Sequence, residues 1–230
     1  MSPSTRRSTE TLGPAAVVDA GLQVLDEMGL AAFSMRSVAD RLETYPATLY
    51  WHVGNRATLL AAILDRVLSE MVVPDPSGRT WTTWLRNLAR EYRRAILRHP
   101  NAGTLVATEL QRGSVAMQLA ERILGVLAGA GFRGRRLAAA YNTFVGSVTG
   151  WVAIELSRPP ADAGESWAQE FEDEVVQLDP AAFPTIAANR SSINGKVIGL
   201  RWTGGAEAPL DRSFVMALDV WIDGLVAQLG

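Results

Sequence analysis

Apolar residues along this chain recur mainly at three- and four-residue intervals, which is the spacing of one face of an α-helix. Pro14 and Pro46 stand at first helical positions, where the missing N–H costs nothing, and Ser34 and Asn55 are suitable N-cap residues. Gly29 is expected to end the first helix. Up to residue 71 the pattern predicts four helices, over 14–28, 35–42, 46–53 and 56–71.

The stretch 73–78, with two Pro and one Gly in six positions, predicts a boundary between two parts of the chain. After it, helices are predicted over 79–98, 102–112, 114–130, 134–157 and 165–178, and from an Asp211 cap to the C-terminus. The interval before Pro209 is expected to be irregular, including Val197 to Trp202, a short piece that could be extended. The sequence therefore predicts an all-α protein with a flexible tail (1–13), a small helical module (14–72) and a larger helical domain (79–230).

Composition narrows the class of protein. A hydrophobic content of 48% is enough for a substantial core, and the absence of Cys excludes disulfides and Cys-ligated zinc. The net charge of −2 argues against a protein that coats DNA by bulk electrostatics, so any nucleic-acid contact must be local. No apolar segment follows Arg6 and Arg7, and the stretch 123–132 is too short to span a bilayer. We expect a cytoplasmic protein without membrane contact.

The second and third predicted helices are separated only by Glu43 to Tyr45, so they must cross steeply, as in a helix-turn-helix. Leu49 and Val53, four residues apart, can anchor the short third helix to the core of the module. Polar groups at positions 48, 50 and 52 can then face DNA, whereas Trp51 is expected to pack in the core.

The segment Pro46-Ala-Thr-Leu-Tyr-Trp-His-Val53, followed by Asn55 and Leu59-Leu60, closely resembles the recognition helix and following turn of TetR-family regulators. Residues 34–42 resemble that family's second helix. The resemblance is strong over 14–71 and weaker to the end of the chain, and it implies a homodimer that binds a palindromic double-stranded DNA operator. The DNA-binding residues implied are Ser34, Met35, Arg36, Tyr45, Pro46, Ala47, Thr48, Tyr50, His52 and Arg56, the last as a phosphate clamp, and the tail arginines could reach the minor groove.

The chain departs from the family pattern in the turn. The family usually has Gly where this chain has Glu43, which makes a left-handed backbone conformation less comfortable. Tyr45 also replaces a smaller residue at the start of the third helix. These two positions affect the expected docking and base preference rather than the motif itself.

The larger domain carries many large apolar residues at helical spacing. An ordinary helical core explains most of them, but the family resemblance also implies a cavity for a small, largely apolar or aromatic effector. In tetracycline-binding relatives a His supplies a magnesium ligand where this chain has Leu105 and Val106, so we predict no metal site and no cofactor. The predicted lining residues are Trp84, Leu88, Tyr92, Leu105, Val106, Phe144 and Trp151.

The last helix is apolar on more than one face, which indicates burial on two sides. It could be a central core helix. The family resemblance favours packing against 134–157 and the symmetry-related helices of a second chain. The residues predicted at this dimer interface are Gly146, Gly150, Phe214, Ala217, Leu218, Trp221 and Leu225.

Two enzyme-like patterns are better explained as structure. The glycine pattern over 129–134 satisfies a dinucleotide fingerprint but follows a predicted helix rather than a strand. The pattern over 146–150 resembles a nucleophile elbow but has Val148 where the nucleophilic Ser belongs. We therefore expect no enzyme, and interpret the chain as a ligand-responsive transcriptional regulator that acts as a repressor. The alternatives are an architectural DNA-binding protein without an effector and, more remotely, an enzyme on this fold.

Overall fold

The computed structural model describes residues 12–108, 113–156, 166–191 and 210–229, and every regular element within these ranges is helical. A short 3-10 helix spans Pro100–Ala102. The helices are α1 (Pro14–Ala32), α2 (Met35–Arg41), α3 (Pro46–Val53), α4 (Arg56–Leu68), α5 (Trp81–Arg98), α6 (Gly103–Thr108), α7 (Ser114–Ala130), α8 (Gly134–Glu155), α9 (Trp167–Gln177), α10 (Pro184–Ala188) and α11 (Asp211–Ala227).

The all-α fold predicted from the sequence is confirmed, with differences at several helix ends. The backbone leaves helical geometry at Gly29 (φ 72°) as expected, but one further turn continues to Ala32. The α4 helix ends at Leu68 rather than at 71. Asp211 is wrong as a cap: it lies inside the first turn of α11, and its carboxylate accepts a hydrogen bond from Arg93 at 2.6 Å.

One short helix was not predicted, and several predicted segments lie wholly or partly outside the described residues. The α10 helix lies in an interval expected to be irregular, because a single turn begun by Pro184 produces no recognisable periodicity. Most of the predicted tail (1–13), the end of the helix predicted over 102–112 and the stretch Val197 to Trp202 lie outside the described residues.

The two helices of the helix-turn-helix have well-defined ends. At the start of α2, the Ser34 hydroxyl accepts from the backbone N–H of Ser37, while the Ser34 N–H donates to the Ser37 hydroxyl, each at 3.0 Å. At the end of α2, the N–H of Glu43 donates to the carbonyl of Asp40 and the N–H of Thr44 donates to the carbonyl of Ala39. These two hydrogen bonds form a Schellman-type turn. Glu43 has φ 51°, and among the described residues it is the non-glycine residue with positive φ.

The core is continuous across the predicted domain boundary. The α4 helix packs on α1 and α3 on the N-terminal side and on α5, α6 and α7 on the other. Its buried residues belong to the same apolar cluster as those of α5 and α8. The connecting segment is itself held, since the Trp84 indole N–H donates to the carbonyl of Pro74 at 2.8 Å.

A buried ion pair joins three helices of the larger domain. Arg93 on α5 donates to both carboxylate oxygens of Glu155 on α8, at 2.6 and 2.7 Å, and both side chains are nearly inaccessible to water. The same Glu155 carboxylate accepts from the backbone N–H of Leu210, just before α11. Arg93 also lies over the Phe214 ring, so these contacts fix the start of α11 against α5 and α8.

The left-handed conformation of Glu43 yields a stability prediction. A non-glycine residue in this conformation costs about 1–2 kcal/mol, and glycine loses roughly 0.5–1 kcal/mol of additional backbone entropy on folding. We therefore expect Glu43→Gly to raise the free energy of unfolding by about 0.5–1 kcal/mol, measured by urea denaturation. Glu43→Ala is the control, because it removes the side chain and keeps the strained backbone. An equal gain from Glu43→Ala would contradict the backbone explanation.

Candidate DNA interface and ligand cavity

The α3 helix has one anchored face and one open face. Leu49 and Val53 are buried on the inner side, as expected from their spacing. Tyr50 is 49% exposed and Trp51 83% exposed, and the Trp51 and His52 rings meet edge to face with centroids 4.9 Å apart. The expectation that Trp51 packs in the core is wrong: two residues from each anchor, it projects to the opposite side of the helix.

The remaining predicted residues of α3 surround this open face. Tyr45 is highly exposed at the N-cap position, where its backbone is extended. Ala47 is exposed, and Pro46, Thr48 and His52 are half-buried. The first turn of α3 is therefore accessible from outside.

The start of α2 contributes fewer accessible side chains than expected. Met35 is buried in the core, so its side chain cannot contact DNA, and that expectation is corrected. The apolar thioether fills space between the helices of the module. The Ser34 hydroxyl is engaged in the capping box. Arg36, in contrast, is exposed.

Arg56 at the start of α4 has contacts within the chain. Its guanidinium lies 5.6 Å from the centroid of the Phe33 ring and donates to the carbonyls of Phe33 and Leu30, at 3.4 and 3.5 Å. These carbonyls belong to the end of α1 and to the turn after it. Arg56 therefore ties α4 to α1 while remaining exposed.

The positive charge of Arg41 is partly neutralised. Its guanidinium forms an ion pair with Glu27 on α1 and also donates to Gln23. The hydrogen bond between Arg41 and Glu27 lowers the pKa of Glu27 below its ordinary value and raises the pKa of Arg41. The two arginines predicted to contact DNA, Arg36 and Arg56, both remain exposed.

The larger domain contains a partly open cavity of about 50 Å³ between α5, α7, α8 and the residues after α4. No charged side chain lines it, and its polar groups are those of two tyrosines and one threonine. The Thr149 hydroxyl donates to the carbonyl of Val145 at 2.7 Å. The lining residues are Met71, Leu88, Ala89, Tyr92, Ala116, Leu119, Ala120, Ile123, Tyr141, Phe144, Val145, Val148 and Thr149.

Three predicted lining residues, Leu88, Tyr92 and Phe144, lie on this cavity. The others do not. Trp84 is buried against the connecting segment. Leu105 and Val106 are buried elsewhere in the core, and Trp151 packs on Phe214 and Trp221 with ring centroids about 6 Å apart.

The cavity wall formed by α7 was not anticipated from the sequence. Ala116, Leu119, Ala120 and Ile123 follow helical spacing, which indicates a buried face but not a cavity. The small side chains at 116 and 120 were the available signal, since they leave space that leucine would fill.

The outer faces of α8 and α11 are open and largely apolar. The predicted dimer residues Phe214, Leu218 and Leu225 are largely buried within the chain itself, and Leu225 also lines the groove between α8 and α11. These three residues form the inner stripe of α11, which packs on α5 and α8. The outward side of α11 instead presents Met216 and Val220, which are 71% and 63% exposed.

The remaining predicted interface residues border a groove or open surface. Trp221 lines a groove between α8 and α11 together with Thr143 and Gly224, and Ala217 is half-buried nearby. Gly146 and Gly150 have open space where a Cβ would stand. The α8 helix is also long and apolar enough, by length and composition alone, to cross a membrane. A protein partner on this face would account for the same composition.

Neither enzyme-like glycine pattern forms the structure its chemistry requires. Gly131 ends α7 in a left-handed conformation (φ 117°), so residues 129–134 form a helix stop, as expected. Residues 146–150 lie within α8 rather than between a strand and a helix. Within the described parts of the chain, no three His, Asp or Glu side chains are grouped so that they could hold a metal ion.

Comparisons with known proteins agree with this geometry. The family model described as "Bacterial regulatory proteins, tetR family" matches residues 17–63, and "Tetracyclin repressor-like, C-terminal domain" matches residues 73–229. An HTH-type transcriptional regulator of Saccharopolyspora erythraea is 33% identical over 174 residues, which cover 75% of this chain and 72% of the relative.

Two further proteins match over nearly the full length. The tetracycline repressor protein class A from transposon 1721 of Escherichia coli is 31% identical over 220 residues, covering 94% of this chain and 92% of the repressor. The structure of the Streptomyces coelicolor TetR family protein ActR in complex with actinorhodin has a TM-score of 0.75 and 29% identity, covering 95% of this chain and 99% of ActR. The chain therefore belongs to the TetR family of bacterial transcriptional regulators.

Proposed function

We propose that this protein is a cytoplasmic, homodimeric transcriptional repressor that binds a palindromic operator and is released by a largely apolar or aromatic effector. The observation that carries the proposal is the open face of α3, where aromatic and polar side chains project from a helix anchored by Leu49 and Val53. In a two-fold dimer, two such helices must match half-sites about 34–36 Å apart, or a multiple of that distance.

The effector class follows from the cavity. An uncharged lining with aromatic residues such as Tyr92, Tyr141 and Phe144 favours a planar, neutral or weakly polar molecule. Binding of a metal chelate is disfavoured because the lining offers neither a carboxylate nor an imidazole. ActR, with 29% identity, is known in complex with actinorhodin, so actinorhodin is a suitable first probe.

The dimer surface is proposed to be the outer face of α8 and α11. Met216 and Val220 expose apolar area there, and Gly146 and Gly150 allow another helix to approach closely. Since the inner stripe of α11 is satisfied within the chain, its outer side is the part available to a second copy.

The DNA-binding prediction concerns Tyr50 and His52. We expect the double variant Tyr50→Ala with His52→Ala to weaken specific operator binding at least about tenfold, because each base contact contributes about 1–3 kcal/mol. The measurement is a gel shift on the DNA flanking the protein's own gene, with circular dichroism to verify folding. Phe183→Ala is a matched control, since Phe183 is similarly exposed but lies in the larger domain. Unchanged operator binding by the double variant would show that α3 is not the reading helix.

The effector prediction concerns Ala120. We expect actinorhodin to raise the thermal midpoint of the wild-type protein and to lower its operator affinity, because a ligand stabilises the state that binds it. Ala120→Leu narrows the cavity and should reduce both effects, whereas Gln118→Leu, exposed on the same helix, should not. If neither actinorhodin nor any other apolar aromatic compound moves the midpoint at saturation, an architectural DNA-binding protein without effector is favoured instead.

The dimer prediction concerns Val220. Replacing it with Arg places an unpaired charge in the proposed interface, so we expect Val220→Arg to shift the protein from dimer to monomer in sedimentation velocity. Val72→Arg is the control, because Val72 is 75% exposed but lies outside α8 and α11. A Val220→Arg protein that remains dimeric would move the interface to another surface.

A further inference from the structure

The side chain of Asp65 connects the last turn of α4 to the first turn of α7 by hydrogen bonds. One carboxylate oxygen, Oδ1, accepts hydrogen bonds from the backbone N–H groups of Val115 and Ala116, both at 3.1 Å. These N–H groups belong to the open end of α7, where no residue of the helix itself supplies a side-chain cap. Asp65 therefore acts as the N-cap of a helix to which it does not belong.

The glycine at the cap position makes room for this contact. A Cβ added at Gly113 would lie 2.0 Å from Cγ of Asp65, far closer than two non-bonded carbon atoms can approach. Any other residue at 113 would displace the carboxylate. Asp65 and Gly113 thus form one unit, in which a missing side chain on α7 is replaced by a side chain from α4.

The two helices face different parts of the molecule. Ala116, whose N–H contacts Asp65, also lines the cavity, as does Ala120 one turn further along α7. At the other end, Leu59 and Leu60 of α4 are buried in the core of the helix-turn-helix module. The Asp65 contact therefore lies between the cavity wall and the helix that supports the module.

The small size of the cavity favours movement of this wall when a ligand binds. It measures about 50 Å³, whereas sites for drug-sized ligands occupy about 300–1,000 Å³. An effector of that size is accommodated when a wall is displaced, and the α7 wall begins at the turn held by Asp65. A carboxylate bound to backbone N–H groups at a helix N-terminus is a charge-assisted contact, which favours joint movement over separation.

We propose that Asp65 transmits occupation of the cavity to the DNA-binding module, by coupling displacement of the first turn of α7 to α4. This inference rests on the function proposed above. It assigns Asp65 a positioning role, and it predicts that loss of the contact leaves operator binding intact but uncouples it from the cavity.

The test does not require the natural effector, because a side chain can fill the cavity. Operator affinity is measured for the wild type, Ala120→Trp, Asp65→Ala and the combination of the last two. We expect Ala120→Trp to weaken operator binding by about 5- to 150-fold, the usual range of allosteric coupling. In the Asp65→Ala background the same filling should change affinity less than about twofold, within the scatter of additive effects.

Three further variants separate coupling from general destabilisation. Asp65→Asn retains a carbonyl acceptor and should restore most of the response to filling, whereas Gly113→Ala expels the carboxylate and should behave like Asp65→Ala. Asp19→Ala is the matched control: Asp19 also contacts α4, through Arg66 at 2.9 Å, but from the α1 side, and its loss should leave the response unchanged. Ala120→Leu replaces Ala120→Trp if the larger side chain prevents folding.

The outcomes are distinct. Failure of the wild type to bind any operator would remove the proposed function and this inference with it. With operator binding established, the inference is overturned if filling the cavity does not weaken binding in the wild-type background, or weakens it equally with and without Asp65.

Discussion

The structure depends on the burial of α4 between two groups of helices. Its apolar residues face α1 and α3 on one side and α5, α6 and α7 on the other, so neither part of the chain has a core that excludes this helix. A substitution such as Leu60→Ala or Ile63→Ala would therefore cost about 2–5 kcal/mol in a core that serves both parts. A movement of α4 cannot leave the helix-turn-helix unaffected.

Around this apolar contact, the junction between the two parts is polar. Glu70 accepts from Arg66 and Arg98 and lies 3.2 Å from Nε2 of His99, whose Nδ1 lies 2.8 Å from Asp26. Burial raises the pKa of Glu70, but the hydrogen bonds and charges of His99, Arg98 and Arg66 lower it by more. The pKa of Glu70 is therefore below its ordinary value. The contribution of this carboxylate to stability is accordingly present above the ordinary glutamate pKa, about 4.3, and lost as the pH falls through the lowered value.

Much of the helix-turn-helix was predictable because its signals are local. The bounds of α3 follow from Pro46 and from the anchors Leu49 and Val53, and the left-handed turn at Glu43 follows from the family pattern, which usually has Gly at this position. The packing of α11 could not be predicted in the same way, because its signals are not local. The sequence shows that two faces of the helix are apolar, but only the tertiary structure shows that the face with Phe214 and Leu218 is buried within the chain. The cavity is likewise a property of packing, since it exists where alanines such as Ala120 meet tyrosines from other helices.

The energy needed for a regulatory response is available from the apolar cavity. An effector that buries about 300 Å² of apolar surface gains about 7.5 kcal/mol, and reversing a two-state population from 1:99 to 99:1 needs about 5.5 kcal/mol of differential binding. Ion pairs that are partly exposed, such as those of Arg66 and Arg98 with Glu70, contribute about 0–1 kcal/mol each. Since the cavity measures about 50 Å³, a molecule of that size gains its full burial energy in a state with displaced walls. An apolar ligand that binds better to the state with displaced walls shifts the equilibrium towards that state, and the ion pairs of the junction are weak enough to rearrange with it.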